Sequence, residues 1–179
     1  AKTDSITPEE FRAIHFELSK ISSTWADLWL TLFSLRAEGS RVITIRYSDI
    51  EDDMLHLAGT PKFEPRTIRL NLLLSKLIAY RKDCNPSDIY VFQSRSNRVK
   101  GLARPVTVIA MNNALKQASK YVTRKNITMK SALRVIEGTS WTGVHTLHTH
   151  LWLGRWSMIT SFIKSLFSLM IFDLLLDWM

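Results

Sequence analysis

Apolar residues recur at helical spacing in several long stretches, and one pair of short alternating runs, flanking two prolines, interrupts them. That change of period, from about 3.6 to 2 and back, constrains the fold more than any other feature. Phe11, Ile14, Leu18 and Ile21 share one helical face, and Trp25, Leu28, Trp29, Leu32 and Leu35 share another. Thr7-Pro8-Glu9-Glu10 is a start signal: Thr7 caps, Pro8 fits the first helical position, and Glu10 completes a capping box. A second start falls at Ser23-Thr24, with Asp27 three residues after Thr24. Residues 71–82 and the series Val108, Met111, Leu115, Ala118, Val122 predict two more helices. Residues 54–58 and 66–70 read as two strands joined by a turn over 59–65, where Pro61 and Pro65 break regular structure. Residues 89–92 read as a short buried strand, and 94–104 as a basic, polar loop. For residues 42–50 composition favours a strand, and a continuing helix stays open. The sum is an α+β domain, mostly helical, with a small antiparallel sheet.

Charge is partitioned along the chain. Residues 1–59 carry net −4, residues 60–140 carry net +12, and residues 141–179 carry zero. The middle block is an electrostatic footprint suited to a polyanion, set against the plainer reading of a basic solvated surface. With 179 residues and 46% hydrophobic content the chain can bury a core, which excludes wholesale disorder. The single cysteine, Cys84, excludes an internal disulfide and a thiolate zinc site within the chain. The first residues are polar, so no signal peptide is read. The missing initiator Met suggests a processed protein or a piece of a longer one.

Few motifs carry chemistry on their own. No glycine-rich phosphate loop occurs. His145, His148 and His150 lie close together, but a metal site would need a further ligand from elsewhere, so no metal is expected. Residues 158–179 are strongly apolar, interrupted by Lys164, Asp173 and Asp177. Their longest uncharged run is far too short to span a bilayer. They read as an apolar C-terminal helix or tail that docks on the domain or on a neighbour, after a first domain over 1–157. A tail diverged or shifted from its ancestral reading frame is the third option.

A set of boxes, in order, resembles the catalytic domain of tyrosine recombinases, the phage integrase family. Thr7-Pro8-Glu9-Glu10-Phe11 resembles its opening. Leu35-Arg36, followed by Ile45-Arg46-Tyr47-Ser48-Asp49-Ile50, is similar to the segment that carries the first catalytic arginine. Lys62, followed by Arg66-Thr67-Ile68-Arg69-Leu70, resembles the hairpin that carries the catalytic lysine. Tyr90-Val91-Phe92 resembles the strand before the next helix. Ser131-Ala132-Leu133-Arg134 resembles the box of the second arginine. Gly143-Val144, then Leu151 to Ser157, resembles the late glycine-rich box.

The resemblance implies cleavage and rejoining of DNA strands by transesterification, through a phosphotyrosyl link, without metal or nucleotide cofactor. Two guanidinium groups would fork onto the scissile phosphate, where such charge stabilisation is commonly worth roughly 3–4 kcal/mol per donor. A hairpin lysine would protonate the leaving oxygen. By this mapping Arg36, Lys62, Arg134 and Trp156 are the catalytic set. Arg41 competes with Arg36 for the first place, because counting back from Asp49 puts Glu38 where the arginine belongs. Arg95, Arg98, Lys100 and Arg104 are expected to contact DNA phosphates. The implied partners are double-stranded DNA and further copies of the chain on that DNA, without a membrane, in the cytoplasm at the nucleoid. Three departures stand out. Ser131 replaces the histidine of its box, and Arg155-Trp156 replaces the late histidine. No tyrosine follows Tyr121, although the nucleophile should fall near Ser165. Ser165 is no ready substitute, since an alkyl hydroxyl without a base is a much weaker nucleophile than a phenol. The alternatives are a catalytically inactive DNA-binding relative and a helical protein–protein interaction module.

Overall fold

A computed structural model describes residues 3–97 and 101–136. All of them fall in one compact unit, Ala1–Gly138. The predicted Thr7 cap forms: its hydroxyl accepts from the Glu10 N–H at 3.2 Å, and the Glu10 carboxylate accepts from the Thr7 N–H at 2.9 Å. Helix α1 (Pro8–Ile21) follows, and Ser22 then caps α2 (Ser23–Leu35). The two pack as the sequence stripes require. Phe11 stacks on Trp29 with ring centroids 5.2 Å apart, and the Trp29 indole N–H donates to the Phe11 carbonyl at 3.3 Å. Ile14, Leu18, Leu28, Trp29 and Leu32 are fully buried and form the centre of the core.

Residues 42–50 split between the two predictions. A single turn of helix, α3 (Gly39–Val42), leads into buried Ile43 and Ile45. A 3-10 turn, Tyr47–Asp49, follows because the Asp49 carboxylate accepts from the Arg46 N–H at 2.8 Å. The sheet is a meander of β1 (Ile50–Glu51), β2 (Met54–Leu57) and β3 (Arg66–Arg69), antiparallel throughout. Its register pairs Ile50 with Leu55 and His56 with Thr67. The predicted strand pair is therefore present, with a third, very short strand before it. Asp52 and Asp53, both at positive φ (45° and 62°), make the β1–β2 turn, as the primed hairpin turns demand.

Asn71 caps α4 (Leu72–Cys84) and Thr107 caps α5 (Val108–Ser119). Residues 89–92 do not form a strand. The Tyr47 N–H goes to the Ile89 carbonyl and the Val91 N–H to the Ile45 carbonyl. The Val91 carbonyl goes to the Arg81 side chain, so the ladder stops at one bridge, Arg46 with Tyr90. The segment around Arg134 is a 3-10 turn, Met129–Arg134. The expected α+β architecture, mostly helical with a small antiparallel sheet, is borne out. Among the described residues no helix is long and apolar enough to cross a membrane.

Candidate nucleic-acid interface

The β2–β3 hairpin carries three exposed cations near the predicted site. Thr60 and Phe63 exchange both backbone hydrogen bonds, at 2.8 and 3.1 Å, which leaves Pro61 and Lys62 at the two corners of a tight turn. Proline at the first corner pre-sets the backbone for such a turn. Lys62 is thus exposed on an ordered tip. Arg66 and Arg69 are exposed on β3 below it. None of the three makes an ion pair among the described residues, so their charge faces water.

The two candidates for the first arginine differ sharply. Arg36 is exposed and occupies the C-cap of α2 in the left-handed region, φ 46° and ψ 44°, with its N–H on the Leu32 carbonyl. Arg41 is 8% exposed and faces inward. Its guanidinium donates to the carbonyls of Leu57 (3.2 Å) and Glu64 (3.1 Å) and meets the Glu38 carboxylate at 3.5 Å. Arg41 therefore binds α3 to the hairpin that holds Lys62. On its other side, α3 touches the second arginine's box. A Cβ added to Gly39 would lie 2.6 Å from Met129 Cε, so the backbone there closely approaches the Met129–Arg134 turn. The structure thus brings the 58–65 hairpin loop and the Met129–Arg134 turn, the segments expected to carry Lys62 and Arg134, against α3.

Not every side chain follows its segment. Arg134 is exposed and donates to the Thr3 carbonyl at 2.9 Å, beside the bridge between Ile6 and Val135. Ser131 is fully buried, and its hydroxyl accepts from the Thr128 N–H at 3.2 Å, so it serves the turn. Of the expected phosphate contacts, Arg104 is exposed at the closed base of its loop, where the Ser94 N–H bonds the Arg104 carbonyl at 2.7 Å. Arg95 is held by Asp88 at 2.7 Å, where it neutralises a carboxylate that is almost fully buried. Arg98, Lys100, Trp156, Ser165, the histidines at 145, 148 and 150, and the tail over 158–179 lie outside the described residues.

Sequence reasoning passed over Arg66 and Arg69 as exposed cations; alternation with the partly buried Ile68 signals Arg69, while Arg66 shares the face of Ile68 and is exposed at the start of the strand. The four tyrosines are far from equivalent. Burial pushes the Tyr47 phenol above its ordinary pKa of 10.0, and its hydroxyl has no partner among the described residues. Tyr90 accepts from Arg46 at 3.3 Å, and Tyr121 is 77% exposed just beyond α5. Among the described residues no three His, Cys, Asp or Glu side chains converge to hold a metal ion.

No protein-family model matches the sequence, and no curated protein matches it. Solved structures do match the fold. A crystal structure of a lambda integrase dimer bound to a COC' core site gives a TM-score of 0.61 at 13% identity, covering 75% of this chain and 39% of that one. A lambda integrase(75-356) dimer bound to the same core site gives 0.61 at 13% identity, covering 75% and 50%. The XerH site-specific recombinase bound to its difH substrate, in a pre-cleavage complex, gives 0.53 at 12% identity, covering 75% and 42%. The class of fold is thus that of the integrase catalytic domain. The chain spans half or less of those proteins, and at such identity the likeness is one of fold.

Proposed function

We propose that this chain grips duplex DNA with a tyrosine-recombinase catalytic-domain fold and does not cut it. The observation that carries the reading is the hairpin. Lys62, Arg66 and Arg69 stand exposed, without ion pairs among the described residues, on a fold whose solved neighbours are DNA-bound recombinases. Arg104 extends the same charge. Several copies would assemble on one DNA, as the dimers of the lambda integrase structures do. The loss of cleavage is supported by chemistry. No tyrosine lies near Ser165, where the resemblance puts the nucleophile, and the Arg41 guanidinium is taken up by two backbone carbonyls and Glu38.

Binding measured by fluorescence anisotropy on a duplex should be strongly salt-dependent, because each neutralised phosphate releases counterions. With about four phosphate contacts, affinity falls about 100-fold between roughly 50 and 200 mM salt. A salt-insensitive affinity contradicts the reading. A second reading, an active recombinase, is favoured by Lys62 itself, an exposed ammonium on the hairpin that the resemblance assigns to the general acid. A duplex with a nick next to the scissile phosphate separates the two. An active enzyme leaves a covalent protein–DNA adduct on a denaturing gel, and a gripping domain leaves none.

A further inference from the structure

The loop between β2 and β3 has a neck, and one buried side chain closes it. Leu57 is the last residue of β2, and Glu64 lies two residues before β3. Their carbonyls both accept from Arg41 Nη2, at 3.2 and 3.1 Å. The Phe63 ring lies 6.0 Å from the guanidinium carbon, and the Glu38 carboxylate takes the other terminal nitrogen. Between the two carbonyls run the residues that place Lys62 at the corner of the Thr60–Phe63 turn. One terminal nitrogen thus serves both carbonyls while the other meets Glu38, so the planar fork ties the neck to α3. An ammonium, being a point donor, does not place donors at two such separate positions.

We infer that Arg41 is a positioning residue, a latch that fixes the 58–65 loop so that the Lys62 ammonium is presented at one place to a phosphate oxygen of bound DNA. The phosphate half of this inference rests on the DNA-gripping reading above, and the latch half does not. The same observation separates the two arginines that competed for one role. Arg41 acts through Lys62 and leaves phosphate contact to exposed cations.

The experiment has two arms on the full chain. In the first, trypsin cleavage of the Lys62–Phe63 bond is timed by mass spectrometry. Arg41→Gln should speed that cut roughly tenfold by opening the loop locally, with cleavage after Arg12 in α1 unchanged. Arg41→Lys should behave like Arg41→Gln, because a single ammonium does not hold the neck carbonyls and Glu38 at once. An unchanged rate in both variants overturns the latch. In the second arm, binding of a mixed-sequence duplex is measured in a double-mutant cycle. Lys62→Ala should weaken binding about fivefold in the wild-type background and less than about twofold in the Arg41→Gln background. Equal losses in both backgrounds overturn the coupling, since general destabilisation would leave the lysine's contribution intact. If the wild type binds no duplex, the DNA-gripping reading falls and the trypsin arm still decides the latch. If Arg41→Gln does not fold, amide exchange of Thr60 and Phe63 in the wild type decides it. Protected amides support the latch, and exchange at open-chain rates overturns it.

Discussion

Arg36 pays for its position. A residue with a Cβ at φ 46° is strained relative to glycine, which is favoured where helices end in the left-handed region. Arg36→Gly should therefore raise stability by about 1 kcal/mol, read as a higher denaturation midpoint. A loss of stability would show that the side chain holds more than the helix end. His15 gives a second test. It is buried on α1, and burial pushes its imidazole below the ordinary 6.5, with the Asp27 charge opposing in part. The folded chain keeps it neutral, while the unfolded chain binds a proton near 6.5. Stability is thus fully present above 6.5 and is lost as pH falls through the window below it. Denaturant midpoints at about pH 7 and 5 should differ, and the difference should shrink in His15→Gln. An equal drop in both proteins would assign the effect elsewhere.

At the scale of elements, one buried arginine does for α4 what Arg41 does for the hairpin. Arg81 donates to Asp27 on α2 at 2.7 Å, to the Val91 carbonyl at 2.9 Å and to Thr24 at 3.4 Å, over the Phe92 ring. Removing one partner of a buried pair leaves a desolvated charge, so Asp27→Asn should cost about 3 kcal/mol in a urea titration. A cost near zero would place the pair effectively in water. This pin also explains what sequence could and could not show. Helices α1, α2, α4 and α5 and the hairpin were legible because caps and periodicity are local signals. The 89–92 segment was not, because Arg81, distant in sequence, takes the carbonyl that a further ladder bond would need. The β1–β2 turn was hidden because Asp52-Asp53 lacks the glycine that usually marks it. In the candidate site, Lys62 on its turn was legible. The choice between Arg36 and Arg41 was not, since sequence spacing does not say which guanidinium is buried.

For the whole molecule, the charge partition matters most. The acidic first third supplies partners such as Glu10 and Asp27, which pair with Lys125 and Arg81. The hairpin cations find no such partners among the described residues and remain available to a polyanion. Fold and charge then support the same proposal: a helical domain with a basic hairpin suited to a polyanion, on a fold shared with DNA-bound recombinases. Lysine acetylation footprinting with and without a saturating duplex, read by mass spectrometry, tests this most directly. DNA should shield Lys62 several-fold and leave Lys20, paired with Glu17 on α1, reacting as before. Equal acetylation of Lys62 in the free and the DNA-bound protein would contradict the account.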